Sequence, residues 1–475
     1  METSNSRPVT ATREKVVIHA AYPLWRKHIL MAIARAKELQ DAGSEVVLTY
    51  CDSRGGTCAV NFAGSPGTCF ICRSCVTKSA AEAGLTTVPL KTPAAEESAS
   101  PVSWTELRDL AEGVQSGVTS TFRQLPGDTS RNPIIRAIKK RYFQTTLGLL
   151  TSMKRVLQQR KPDRVEVFNG RQACSRFCLI AARSAGLPFN TLEITARQQP
   201  IIFRGHTAHD RRAIQKRVLS HPADVEAAEA YFARRRQPAH NKYAKKHASE
   251  FSPPDAGRFK KKISVFLSSQ DEFESLGPDW RSPFPDYATV VEAACRRFPE
   301  YLFCIRFHPN QADIAGDITT PFRAIDALPN TVVYYPTDTA NTYALLEWSD
   351  TVVTFGSTVT VEACWLRKPV IALGPSFYDQ LNVSHNPQTM DEFLNMLGQD
   401  LPALDPTNAA RLAVFAESDS DDMRYLDYNG RTIVPRGIHI SRPWLSRIAR
   451  TCDNVFCRLV KTSARLTTKY RRRAA

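Results

Sequence analysis

Nothing in this 475-residue chain approaches the run of about 18 apolar residues that a membrane-crossing helix needs. The opening stretch METSNSRPVTATREK lacks the apolar core of a secretion signal. Both absences point to the cytosol, where disulfide frameworks do not persist, so the twelve cysteines call for another explanation. Acidic residues are missing where basic ones gather. Residues 131–161 hold nine Lys/Arg and no acid, and residues 204–262 hold fifteen against six. From Arg436 onward, eleven Lys/Arg face Asp453 alone. A net charge of +16 concentrated in this way implies anionic partners: a lipid surface, a phosphate-rich substrate or nucleic acid. Solvated helix faces are the plainer reading of any one segment. The basic runs lack interleaved aromatics and no nucleic-acid reading module is present, so no nucleic acid is expected.

What is present is a strand–helix rhythm. KVVIHA, WRKHILMAIARAKELQDAG and EVVLTYC read as strand, helix and strand, a βαβ unit that implies a parallel sheet. TTVPL, DRVEVFNGR and FNTLEIT extend the pattern. A second series follows: ISVFLSS, LFCIRFHP, TVVYYP, DTVVTFG and VIALG, mostly separated by helical stretches. The expected fold is α/β, two Rossmann-like doubly wound domains facing a cleft. The expected limits are 14–255 for an N-terminal, acceptor-side domain, which includes a Cys-rich insertion at 51–75 and a basic helical segment. A C-terminal domain spans 256–435, and a basic amphipathic helix and tail 436–475.

Polar motifs recur at the strand exits, where ligands bind in such sheets. FGSTVTVEA places Gly356 at a tight turn, Ser357 and Thr358 at the start of a helix, and Glu362 about one turn further in. Helix-end N–H groups favour phosphate there, although a simple helix cap uses the same residues. IRFHPN sets Arg306 and His308 on one face of a strand end, suited to a phosphate leaving group or to a structural histidine. FLSSQDEF crowds Ser268, Ser269, Asp271 and Glu272 at one exit, with Asp271 the candidate general base or nucleophile. Asn169, Gly170 and Arg171 of VFNGR, with Glu193 of LEIT, provide hydroxyl-binding groups and a carboxylate able to take a proton.

The order FNGR, E, SSxDEF, RFHPN, YPxD, TY and FGSTVTVEAxWLRKPVIALG, spread over residues 165–378, resembles bacterial capsule and surface-polysaccharide biosynthesis glycosyltransferases of the GT-B class, related to the capsular β-Kdo transferases. The resemblance implies a glycosyltransferase that takes a nucleotide-sugar donor and extends a lipid-linked surface glycan (capsule, lipopolysaccharide or similar) without a catalytic divalent ion. The implied catalytic groups are Asp271, Glu193 and His308. Donor binding falls to Arg306, His308, Asn310, Tyr343, Gly356, Ser357, Thr358, Glu362, Ser268 and Ser269, and acceptor binding to Asn169, Gly170 and Arg171. On this reading Glu362→Gln weakens donor binding and leaves the ligand-free stability unchanged. Sugar-nucleotide epimerases and polyol-phosphate transferases share similar signatures, and a zinc-bearing nucleic-acid binder is the alternative of another class.

Two features stand outside the resemblance. Cys51, Cys58, Cys69, Cys72 and Cys75 follow C-x6-C-x10-C-x2-C-x2-C. Four thiolates close a tetrahedral zinc site, so a structural zinc is expected, with the set open between Cys72 and Cys75. An iron–sulfur cluster and unligated thiols are the alternatives. Cys174, Cys178, Cys295, Cys304 and Cys364 fit apolar core patterns, and the SDSDD run at 418–422 reads as solvated. In the tail, Trp444, Leu445, Ile448, Cys452, Val455, Phe456, Leu459 and Val460 share a helical face opposite Lys and Arg. That pattern suits peripheral attachment to an anionic inner membrane face, or packing on the protein's own surface.

Overall fold

The structure, a computed structural model, describes residues 13–91, 101–237, 251–314, 317–441 and 444–474, with side chains to residue 465. Parts of the basic segment (238–250), of the polar loop near residue 95 and of the last basic residues' side chains lie outside these. The chain divides into two compact units, Met1–Val114 with Ile138–Thr207 and Ser420–Phe456, and Gln115–Ala137 with Ala208–Asp419 and Cys457–Ala475.

The first unit is built on six strands: β1 Lys15–His19, β2 Glu45–Cys51, β3 Thr86–Leu90, β4 Arg164–Phe168, β5 Phe189–Ile194 and β6 Pro200–Arg204. Their order is β3-β2-β1-β4-β5-β6, parallel throughout except for β6. Central strands such as β1 are buried on both faces, which is why they read as unbroken apolar runs. Val16, Ile18, Val46 and Leu48 pack under Ile29 and Ile33 of helix Arg26–Asp41. Gly43, at φ 97°, supplies the left-handed residue that lets the chain leave this helix.

The cysteine-rich stretch is not inserted into this order. It forms the loop after β2 and then helix Pro66–Glu82, the crossover that carries the chain to β3. Ser65 caps that helix by accepting the Thr68 N–H, with proline at its first turn. Strand β6 was not legible because it begins on a proline after a polar turn and pairs antiparallel at the sheet edge.

The second unit holds β7 Lys261–Phe266, β8 Tyr301–Arg306, β9 Thr331–Tyr334, β10 Thr351–Thr354 and β11 Val370–Ala372, all parallel in the order β11-β10-β7-β8-β9. Ile263, Val265, Ile305, Phe307 and Val353 cover one face; Phe266, Cys304, Leu345, Leu346 and Val352 cover the other. A hairpin, β12 Leu426–Tyr428 and β13 Ile433–Pro435, belongs to the first unit.

The expected cut at 255/256 differs from the structure at both ends. Helices Arg211–Leu219 and Val225–Arg236 belong to the second unit, packed against helix Thr407–Ser418, while residues 420–456 belong to the first. The SDSDD run is not simply solvated. Asp419 pairs with Arg217, and Asp421 accepts the Ile202 N–H at 2.7 Å and pairs with Arg204.

Helix Leu445–Ala474 departs from the one-face reading. Ser446, Ala449, Asp453, Cys457, Val460 and Ala464 form a buried face, on which Asp453 accepts the Ala63 N–H at 3.1 Å. Trp444, Leu445, Ile448, Cys452, Val455 and Leu459 form a separate, exposed stripe.

Candidate functional site

The site grows from the carboxyl ends of β7, β8 and β10. Alternation along β8 puts Arg306 on the same face as Cys304, the face covered by Ala340, Leu345 and Ala363. Arg306 is 8% exposed, and burial lowers its pKa to about 10. Among the described residues it has neither an ion pair nor a hydrogen bond from its guanidinium. A buried cation without a counter-charge is costly unless an anion joins it.

Two residues on, His308 caps the short 3-10 turn Pro309–Asp313. Its Nδ1 accepts the Asn310 N–H at 3.2 Å, while its own N–H donates to Gln311 Oε1 at 2.7 Å. An acceptor Nδ1 leaves the ring proton on Nε2, so the imidazole is a donor at that atom.

At the exit of β7, the polar residues of SSQDE are gathered around an arginine that the sequence did not single out. Arg123 pairs with Asp271 at 2.9 Å, donates to Ser269 Oγ at 3.1 Å and to the Asn310 carbonyl at 2.9 Å. Ser269 donates to Asp271 at 2.6 Å, and Asn310 reaches Glu272 at 2.9 Å. Ser268 is buried beside them. Asp271 is fully buried; burial raises its carboxyl, and the Ser269 hydroxyl and Arg123 charge oppose that rise. Arg123 follows helix Trp104–Phe122 in a left-handed conformation, φ 54°, unusual for a side chain this large. No sequence motif marks it.

Gly356, at φ 72°, turns the chain out of β10. A Cβ there would lie 2.7 Å from the Phe273 ring, so glycine is required by both backbone and space. Ser357 Oγ accepts the Val359 N–H at 3.3 Å, a local turn just before the helix. Thr358 and Glu362 are both engaged by Arg235: at 3.2 Å to the Thr358 hydroxyl and 2.7 Å to Glu362 Oε1. Tyr343 also hydrogen-bonds Glu362, and Arg236 lies over the Tyr343 ring at 5.1 Å. Glu362 is therefore 5% exposed and ion-paired, not the solvent-facing acid expected from FGSTVTVEA. Its neutral replacement, Glu362→Gln, would leave Arg235 without its counter-charge. The expected cost is about 1–3 kcal/mol of ligand-free stability, read as a lowered denaturant midpoint with an unchanged slope.

In the first unit, Asn169 and Gly170 form consecutive left-handed residues, φ 64° and 78°, at the end of β4. Asn169 donates to Glu193 and accepts the Arg171 N–H at 3.1 Å. Burial raises the Glu193 carboxyl, opposed by bonds from Ile194 N–H and Asn169. The acceptor-side candidates thus form one cluster, Asn169, Gly170, Arg171 and Glu193, within one sheet.

A pocket of about 640 Å³ in the second unit opens beside the β10 exit, between Phe273, Trp280, Tyr287, Phe355 and Gly374. It lies on the opposite side of the sheet from Arg306, since Phe355 and Tyr287 pack with the Ile305 face. None of the expected donor-binding residues lines it.

Of the clustered cysteines, Cys51, Cys58, Cys69 and Cys72 line a single small cavity, joined by Cys174, which the sequence had assigned to the core. Cys75 does not line it and is fully buried. Cys178, Cys295, Cys304 and Cys364 are core residues, as their patterns implied.

Residues 213–425, a little under half of the chain, match the family model of capsule polysaccharide biosynthesis proteins. The matched stretch contains Ser269, Asp271, Arg306, His308 and the Arg235–Glu362 pair, and it leaves Arg123 and the Asn169–Glu193 cluster outside. No curated protein matches the chain by sequence. Among solved structures, the chain is similar to the Thermosulfurimonas dismutans KpsC β-Kdo 2,4 transferase, at 16% identity and a TM-score of 0.36 over 58% of this chain and 84% of that one. It is also similar to a putative UDP-N-acetylglucosamine 2-epimerase from Listeria monocytogenes, at 13% identity and a TM-score of 0.27 over 87% and 99% of the two chains.

Proposed function

We propose that the protein is a glycosyltransferase of surface-polysaccharide synthesis, moving a sugar from a nucleotide-sugar donor to a growing glycan. The observation that carries this reading is Arg306, a buried guanidinium without a counter-charge among the described residues, at a parallel strand's carboxyl end and inside the stretch that matches the capsule-synthesis family model. A donor diphosphate supplies the missing anion, and the charge that develops as the sugar–phosphate bond breaks strengthens that contact. His308 would donate from Nε2 to a phosphate oxygen. Asp271, held by Ser269 and Arg123, would act as the general base or the nucleophile, both of which need its ionised form. Glu193, in the Asn169 cluster, would bind an acceptor hydroxyl. The test is a thermal-shift screen of the full chain against CMP, UDP, GDP and their sugars, followed by sugar release or transfer with whichever stabilises it. A protein that no sugar nucleotide stabilises, and that consumes none, overturns the assignment.

The acceptor on this reading is lipid-linked and met at the cytosolic face of the membrane. No helix among the described residues is long and apolar enough to cross one. What supports peripheral attachment is the exposed stripe of Leu445, Ile448, Val455 and Leu459, next to Arg447, Arg450 and Arg458 on the same helix. Deleting the helix would expose its buried face, so the informative variant is Ile448→Ser with Val455→Ser and Leu459→Ser. Sedimentation with phosphatidylglycerol vesicles should fall several-fold while the thermal midpoint holds. Unchanged sedimentation removes the membrane role of the stripe.

A further inference from the structure

The cysteine-lined cavity after β2 does not fit the expected zinc, since no three His, Cys, Asp or Glu groups among the described residues are arranged to hold a metal ion. The pocket of about 640 Å³ in the second unit has a stronger claim to a ligand, because it lies where its sheet changes direction. From β7 the chain runs outward through β8 and β9, then returns to the other side of β7 to lay down β10 and β11. The loops leaving β7 and β10 therefore part in opposite directions, and the crevice between them is where doubly wound sheets take ligands. Gln270 and Phe273 come from the β7 exit, Phe355 from the β10 exit and Gly374 from the β11 exit, and all four line the pocket. Its volume falls in the usual range for small-molecule sites, about 300–1,000 Å³.

The walls are stiff. The Trp280 indole N–H donates to the His209 carbonyl at 3.0 Å, and its ring meets Phe377 edge-on at 4.6 Å. Tyr287 packs on Phe355 at 4.2 Å between centroids. Against these rings stand polar groups with nothing to bind. Among the described residues, the side chains of Asp128, Arg131 and Gln270 and the Tyr287 hydroxyl make no hydrogen bond or ion pair. Burial, with the charges of Glu274 and Asp271, raises the Tyr287 hydroxyl, so it stays protonated and able to donate. Gln270 and Phe273 also flank Asp271 in the chain, which opens the pocket within one residue of the candidate base.

Anchored rings beside unpaired donors and acceptors suit a sugar, whose C–H faces lie on aromatics while its hydroxyls both donate and accept. They do not suit a phosphate. Asp128, Glu274 and Asp286 outnumber Arg131 and Arg281 in the lining, and Arg306 lies on the other side of the sheet. We propose that this pocket holds a sugar unit of the acceptor glycan, against the Trp280–Tyr287 wall and hydrogen-bonded by Asp128, Gln270 and the Tyr287 hydroxyl. The proposal rests on the glycosyltransferase reading, and it gives the acceptor contacts in the second unit besides those proposed for the Asn169 cluster.

The test exposes the full chain to an array of defined bacterial surface oligosaccharides, and the best-retained one is titrated by calorimetry. Gln270→Ala with Tyr287→Phe removes two hydrogen-bonding groups and keeps the ring on Phe355. Oligosaccharide affinity should fall about 10- to 30-fold, with the thermal midpoint unchanged. Asp128→Asn, a second variant on a separate helix, should weaken the same oligosaccharide several-fold. Stabilisation by sugar nucleotide should be equal in all three proteins. An array that retains no oligosaccharide, or variants that bind the retained one as tightly as the unaltered chain, would overturn the proposal. Loss of nucleotide stabilisation in the double variant, with oligosaccharide binding intact, would overturn it in favour of a nucleoside pocket. Oligosaccharide binding through these residues in a chain that no sugar nucleotide stabilises would uphold the glycan site and sink only the transferase reading.

Discussion

Asp271→Asn is expected to lower turnover by about 100-fold or more, the usual contribution of a positioned base or nucleophile, with donor affinity nearly unchanged. On the proposed reading the carboxylate handles a proton or a sugar carbon; Ser269 and Arg123 hold its two oxygens. Asparagine keeps the shape and can still bond Ser269, but it neither accepts a proton nor attacks. Burial raises the Asp271 carboxyl above its ordinary value, so in the unaltered protein activity should fall as pH drops through that raised value. The stability linkage has the opposite slope. The native state binds this proton more readily than the unfolded chain does, so the contribution to stability is greatest below the ordinary pKa. It declines as pH rises through the raised one, and the asparagine variant should lack that decline. Near-normal turnover with a lowered unfolding midpoint would make the Arg123–Asp271 pair a scaffold element alone.

The second large effect concerns Arg306, where two observables should move in opposite directions. Arg306→Met removes a buried charge whose pKa burial pulls down to about 10, a desolvation cost that methionine does not carry. The ligand-free protein should therefore be as stable as the unaltered one or more so. Donor binding should weaken about 10- to 100-fold, the worth of a charge-assisted bond to phosphate, and the stabilisation by sugar nucleotide should shrink with it. Calorimetric titration together with unfolding curves separates the two. Lower stability with unchanged nucleotide affinity would mean that Arg306 serves the fold, and the donor site would then have to be sought elsewhere, the 640 Å³ pocket being the next place.

The two sheets were legible because parallel strands buried on both faces leave unbroken β-branched runs, as KVVIH and TVVT do. Their exits were legible for the same reason: polar residues begin where burial stops. Strand β6 escaped because an edge strand needs neither feature, and hairpin β12–β13 because its strands are three residues each. Arg123 escaped since it follows a helix with no local motif, and its partners lie nearly 150 residues away.

The pattern of the chain by itself determined the parallel strands of both sheets, the polar motifs at their exits and the clustering of cysteines, because each depends on residues close in sequence. Partnership was decided only by the tertiary structure. Glu362 looked open to solvent in FGSTVTVEA, yet Arg235, from a basic run that pointed to anionic partners or to a solvated face, comes to bury and pair it. Cys72 and Cys75 were equivalent in spacing, and only the packing of one crossover helix sets Cys72 on the cavity and Cys75 away from it. The tail's apolar residues looked like one face because a helical pattern records which positions are apolar, not how many surfaces they meet. The fold divides them, burying Val460 and leaving Leu459 exposed. Periodicity is a local property, whereas burial and charge pairing depend on distant segments that only folding brings together.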